Sequence, residues 1–105
     1  MVEMTQEEKK RNYNYKTKYG ITLEDYNRIL KKQGNKCAIC GRDQSKFKKH
    51  LSVDHNHVTG FPRGILCTFC NFKILRHFRD NKTIARGVVK YLQKAIREDK
   101  EWSEK

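Results

Sequence analysis

The placement of four cysteines limits what this chain can fold into. They stand in two close pairs, Cys37-Ala38-Ile39-Cys40 and Cys67-Thr68-Phe69-Cys70, with residues 41–66 between them. Each pair can chelate one metal ion through a tight turn, and Zn²⁺ takes four thiolates at ~2.3 Å in a tetrahedron with no open position. The zinc expected here is therefore structural. Two disulfides are the competing reading, but they belong to oxidising compartments, and the sequence shows neither a secretory signal peptide nor a long apolar run. The expected location is cytoplasmic.

A chain of 105 residues is expected to form a single domain, 1–105, and to bury only about two-thirds of its unfolded surface. Hydrophobic residues make up 36% and charged residues 34%, so the apolar material is thin and a metal staple is useful. Structural zinc contributes on the order of 10 kcal/mol of binding free energy that is also folding free energy. The 24 Lys and Arg against 12 Asp and Glu leave a formal net charge of +12, which points to a polyanionic partner. Cations that neutralise phosphates release condensed counterions, and nucleic acid is the partner this charge favours. Membrane binding would need an amphipathic helix with a strong apolar face or a lipidation signal, and the sequence shows neither.

The N-terminal part, 1–36, reads as two helices. Thr5-Gln6-Glu7-Glu8 is a capping box that opens the first, and Gly20 ends it or its loop. Thr22-Leu23-Glu24-Asp25 opens the second, with Leu23, Tyr26, Ile29 and Leu30 as its buried stripe and Gly34 as its stop. In the first helix Tyr13, Tyr15 and Tyr19 interleave with Lys16 and Lys18. Tyrosines at such spacing pack on a neighbouring helix more often than they stack on bases, while the lysines stay solvated. Between the cysteine pairs, Leu51-Ser52-Val53 and Ile65-Leu66 form a small antiparallel hairpin, joined by a loop with Thr59-Gly60 and Pro62. Thr68 then caps a helix running to about Arg79. Asn81 caps a last helix over 81–98, in which Ile84, Val88, Tyr91, Leu92, Ala95 and Ile96 form a stripe that is core or a partner surface. The charged tail, 99–105, is expected to fray, and Trp102 has no evident role.

The hairpin encloses Asp54-His55-Asn56-His57. Phosphodiester hydrolysis needs a water deprotonated near neutral pH and a divalent cation to absorb charge on the phosphate and leaving oxygen. His55 is suited to be the base, because imidazole titrates near pH 6.5. Asp54 and Asn71 offer hard oxygens for Mg²⁺ or Mn²⁺, with positions left for water and phosphate. Strand alternation would put His55 and Asp54 on opposite faces, so a bend or strand end is required near Asp54. Asn56 is expected to face away from the metal. Arg63 on the hairpin and the basic run Lys73, Arg76 and Arg79 are candidate contacts to a DNA backbone, whereas His50 and His77 read as ordinary polar residues.

The run Leu51 to His57, then Thr59-Gly60, Arg63-Gly64-Ile65-Leu66-Cys67-Thr68-Phe69-Cys70-Asn71, and finally Asp80 to Tyr91-Leu92, resembles the bacteriophage recombination endonuclease VII family of His-Me finger, or HNH, nucleases. The likeness runs from about Tyr19 to Leu92. It implies an α+β fold, a small ββα-metal core over 37–80 with a four-cysteine zinc site, flanked by N- and C-terminal helices. It also implies that Cys37, Cys40, Cys67 and Cys70 bind structural zinc, that Asp54 and Asn71 bind the catalytic divalent ion, that His55 is the general base, and that His57 stands against the scissile phosphate or leaving group. The function so implied is a metal-dependent DNA endonuclease, in the host cytoplasm if phage-encoded. The founding type is a dimer that cuts branched DNA with helices beyond the core, whereas this chain ends soon after Leu92. The expectation is therefore a monomer or weak homodimer that nicks or cuts duplex DNA. A branch-selective junction resolvase and a non-catalytic zinc-ribbon nucleic-acid-binding protein are the alternatives.

Overall fold

The structure is a computed structural model that describes residues 3–103, with side chains described as far as residue 97. In chain order it comprises α1 (Gln6–Tyr19), α2 (Leu23–Lys32), a 3-10 turn (Gln44–Lys46), β1 (Ser52–His55), β2 (Pro62–Leu66), a π turn (Cys70–Ile74), α3 (Leu75–Phe78) and α4 (Lys82–Ser103). It is a small α+β structure with one two-stranded sheet. Two compact units divide it, Met1–Asn71 and Phe72–Lys105.

In the first unit the helix ends follow from local chemistry. Thr5 and Glu8 exchange side-chain and backbone hydrogen bonds across the start of α1, and Thr22 and Asp25 do the same for α2. Gly34 leaves α2 with φ 72°; its N–H donates to the Lys31 carbonyl while the Asn35 N–H donates to that of Leu30. Those two bonds satisfy carbonyls the helix leaves unpaired, and the left-handed backbone between them favours glycine. Leu23, Tyr26 and Leu30 of α2 are buried against the sheet, together with Leu51, Val53, Ile65 and Leu66. Ile29, expected beside them, is only half-buried. Tyr26 ties the layers together, since its phenol donates to the Leu51 carbonyl and burial pushes its pKa up, keeping the O–H a donor.

By contrast α1 buries no side chain. It is held by Asn12 Oδ1, which accepts from the Leu23 N–H at 2.9 Å, and by Tyr15, whose ring stacks on Tyr26 at 4.8 Å. Tyr13 on the same helix is 68% exposed, so the three tyrosines do not share one fate.

The hairpin is longer than the two short strands expected. Its register pairs Ser52 with Leu66, Val53 with Ile65 and Asp54 with Gly64, then slips so that His55 faces Pro62. One residue of β2, Arg63, is therefore extra: a β-bulge lies beside Asp54, where strand alternation demanded a bend. The outer edge of β2 is closed by a side chain. Gln33 accepts from the Ile65 N–H at 2.9 Å and donates to the Ile65 carbonyl at 2.9 Å, as a neighbouring strand would. Gly64 makes room for it, because a Cβ there would stand 3.3 Å from Gln33 Oε1.

After the sheet a helical run starts at Thr68 itself, so the cap expected of Thr68 falls to Cys67, whose Sγ accepts from the Cys70 N–H, and the run widens into the π turn from Cys70 to Ile74 before resuming as α3. In the second unit, Arg79 and Asp80 both take positive φ, 49° and 58°, and turn the chain into α4. Asn81 caps α4, accepting from the Thr83 and Ile84 N–H groups. α3 packs on α4. The stripe on α4 is not core: Ile84, Val88, Tyr91, Leu92 and Ile96 are all exposed. α4 continues to Ser103, past the 98 expected, and the Trp102 side chain lies outside the described residues. No helix among the described residues is long and apolar enough to cross a membrane.

Candidate metal centre and active site

The two cysteine pairs come together at one point. All four sulfurs lie within 4.8 Å of one another, and Cys40 Sγ is 3.8 Å from Cys67 Sγ. A tetrahedron with metal–sulfur legs of ~2.3 Å has edges of about 3.8 Å, so the quartet is shaped to hold one metal ion, and an all-thiolate set is one zinc takes. The four are free cysteines, as a metal site requires. Two knuckles shape the cluster. At the first, the Gly41 N–H donates to the Cys37 carbonyl and the Cys37 N–H to that of Arg42, with Gly41 at φ 75°. At the second, the Cys70 N–H donates to Cys67 Sγ at 3.4 Å. Arg42 Nε–H donates to Cys40 Sγ at 3.4 Å and holds that thiol down at about 6, whereas burial pushes the Cys70 thiol far up. A bound cation would favour the thiolate at every one of these positions. Arg42, missed in the sequence reading, is the outer-shell partner of the centre.

β2 runs directly from the bulge into Cys67. Opposite the bulge stands Asp54, the one buried charged side chain among the described residues, at 7% exposure. Its carboxylate is gripped by the Arg63 fork, Nε to Oδ2 at 2.8 Å and Nη2 to Oδ1 at 3.1 Å. Arg63, expected against DNA, is thus turned onto Asp54. The reason is the extra residue at the bulge, which re-aims its side chain. A carboxylate oxygen carries a second lone pair, so the paired Asp54 retains hard-oxygen donor capacity suited to a divalent ion.

His55 follows at the end of β1, half-buried, with His57 exposed beyond it. Their rings are 4.9 Å apart, centre to centre, and the Tyr19 ring of α1 is tilted against His55 at 5.7 Å. Asn56 plays a structural part: its Oδ1 accepts from the Val58 and Thr59 N–H groups and closes the hairpin loop. Asn71 follows the last cysteine, half-buried, its N–H bonded to the Cys67 carbonyl at 3.0 Å. The structure therefore brings together the cysteine quartet, Asp54 with Arg63, and His55 with His57 and Tyr19. Lys73, Arg76 and Arg79 are exposed residues of the second unit. Tyr19 escaped the sequence reading as a site residue because its signal was that of a packing tyrosine.

Residues 11–94 match the profile of the family described as recombination endonuclease VII. The chain belongs to that family. Among curated proteins it is similar to the Gene 59 protein of Mycobacterium phage D29, 49% identical over 76 residues, covering 72% of this chain and 46% of that protein. The Gene 59 protein of Mycobacterium phage L5 is 47% identical over 74 residues, covering 70% and 44%. The chain thus spans less than half the length of these curated relatives. No solved structure matches. The match to the recombination endonuclease VII family covers the cysteine quartet, the bulged hairpin and Asn71 together.

Proposed function

We propose that this chain is a DNA endonuclease of the HNH type, a ββα-metal core that hydrolyses phosphodiester bonds with a divalent ion, in the cytoplasm of a phage-infected cell. The observation that carries the reading is the end of β1, where a buried carboxylate is followed directly by a half-buried imidazole, on a hairpin whose second strand leads into the cysteine quartet. Membership of an endonuclease family agrees with it. In this reading His55 takes a proton from the attacking water, a task for a neutral imidazole near pH 7. Asp54 and Asn71 hold Mg²⁺ or Mn²⁺ through their oxygens, and Arg63 fixes the Asp54 carboxylate for that purpose. The bound ion supplies neutralisation of charge on the phosphate and the leaving oxygen. His57 faces the phosphate or the leaving group. Cys37, Cys40, Cys67 and Cys70 hold structural Zn²⁺ and so fix the ends of the hairpin and the start of the helix that carries Asn71. Lys73, Arg76 and Arg79 meet the DNA backbone.

The test is incubation of supercoiled plasmid with the zinc-loaded protein and Mg²⁺ or Mn²⁺. Conversion to nicked or linear DNA that stops with EDTA is expected. An intact plasmid under both metals, with DNA binding preserved, would sink the enzyme in favour of a zinc-ribbon binding protein. The family's description as a recombination endonuclease favours a second reading, in which branched DNA is the substrate. A junction and a duplex of equal length, offered in competition, separate the two.

A further inference from the structure

A groove of about 320 Å³ lies between α1 and the chain leading into β1. One wall is a stripe of α1, from Glu7 through Arg11, Asn14, Tyr15 and Lys18 to Tyr19; the other is residues 50–53. The two walls run parallel. Glu7 meets His50 at one end, with 3.8 Å between Oε1 and Nε2, and Tyr19 meets His55 at the other. Twelve helical steps at 1.5 Å span about 18 Å, and five extended steps at 3.3 Å span about 17 Å, so the walls keep pace over the whole distance.

Three features mark this groove as a place for a ligand and not a loosely packed seam. α1 buries no side chain fully, and of its lining residues Tyr15 alone stacks on the core, on Tyr26, so the rest of the stripe is left to the groove. Its cations are placed: Arg11 is held across Tyr15 and Tyr26, 5.5 and 5.2 Å from their ring centres, and donates to the Tyr15 hydroxyl, while Lys18 is exposed. A second hollow shares His50 and Leu51 with the first and adds Lys48 and Lys49 beside Phe47, Cys67 and Thr68, so lysines continue the lining beyond His50. Among the residues lining the groove and this hollow Glu7 alone is acidic, and it is 77% exposed at the far end.

We propose that this groove is the path of one DNA strand, running from Tyr19 beside His55 toward His50, with Lys18 and Arg11 set against its phosphates and Tyr19 against the nucleotide next to the one cut. At ~3.4 Å rise per nucleotide in each strand, 17 Å accommodates about five steps. The orientation toward His55 rests on the nuclease reading; the groove as a DNA surface does not. A strand laid there delivers its phosphodiester to the imidazole, and the helix in front of α2 becomes a substrate guide.

The test compares two charge reversals on one helix. Lys18 lines the groove, whereas Lys16, also exposed, does not. Lys18→Glu and Lys16→Glu change net charge equally, so any difference between them is contact. Zinc-loaded wild type, both variants and the milder Lys18→Gln are titrated by fluorescence anisotropy against a labelled 20-base-pair duplex from about 50 to 200 mM salt. Lys18→Glu is expected to weaken binding roughly tenfold at 0.1 M salt and to lower the slope of log affinity against log salt by about one; Lys18→Gln should show the same slope change. Lys16→Glu should change affinity less than about threefold. Equal effects of the two reversals would overturn the groove. Plasmid cleavage by the same preparations keeps the two readings apart: cleavage with equal reversals removes the groove alone, and selective Lys18 loss without any wild-type cleavage removes the nuclease and leaves the groove.

Discussion

Arg42 and Arg63 each bring a cation to an anionic ligand atom, and the surroundings decide what each contributes. Arg42 is at the surface, where its Nε–H keeps Cys40 a thiolate down to a pH of about 6. A folded-state value below the ordinary thiol range means that stabilisation of the thiolate is full only above the ordinary thiol pKa of about 8.5, and is lost progressively as pH falls from there through about 6. Arg42→Ala should therefore raise the pH at which acid releases the metal and weaken zinc retention about 10–100-fold, read by competition with a chromophoric chelator. Arg63 stands over a buried carboxylate. Arg63→Ala strands that charge and should cost about 2–4 kcal/mol in urea unfolding of the zinc-loaded protein. Arg63→Lys should recover part of this, because it keeps the charge and loses the fork. His55→Ala should lower cleavage about 10²–10⁴-fold while zinc content and DNA affinity stay unchanged; wild-type rates from that variant would refute the assigned base. The cysteine quartet was legible in the sequence from residue type and spacing, and the irregularity of the strand beside Asp54 and His55 from alternation. The Arg63 pairing was not, since it depends on a bulge whose extra residue no local pattern marks.

At the level of elements, the caps were legible except at Thr68, where Cys67 takes the cap position. Thr5, Thr22, Gly20, Gly34 and Asn81 act where the sequence places them, because capping is settled within four residues of chain. The π turn at Cys70–Ile74 was not legible, for the run Thr68 to Arg79 reads as ordinary helix. π turns gather at functional sites, and this one includes Asn71. The edge of β2 was equally hidden. Gln33 sits 32 residues from Ile65, and a polar residue at the end of a helix carries no sign that it will serve a strand. Gln33→Ala leaves the Ile65 N–H without its partner and should lower stability by about 1–3 kcal/mol, read as a shift of the urea midpoint without change of slope. Tyr26→Phe, which removes the bond to the Leu51 carbonyl, should cost about 1–2 kcal/mol in the same assay.

For the whole molecule, a thin core and a thiolate centre mean that folding and metal binding are one equilibrium. One zinc per chain is expected by elemental analysis, and chelation should abolish the cooperative unfolding of the hairpin unit; a metal-free preparation with native near-ultraviolet dichroism would contradict this. The same chain carries a formal charge of +12 and a sheet of only two strands. Such a sheet offers an open flank to any extended peptide, and open flanks seed fibrils. Here the Gln33 carboxamide already occupies the N–H and C=O of Ile65, so an incoming strand finds the middle of the β2 edge closed.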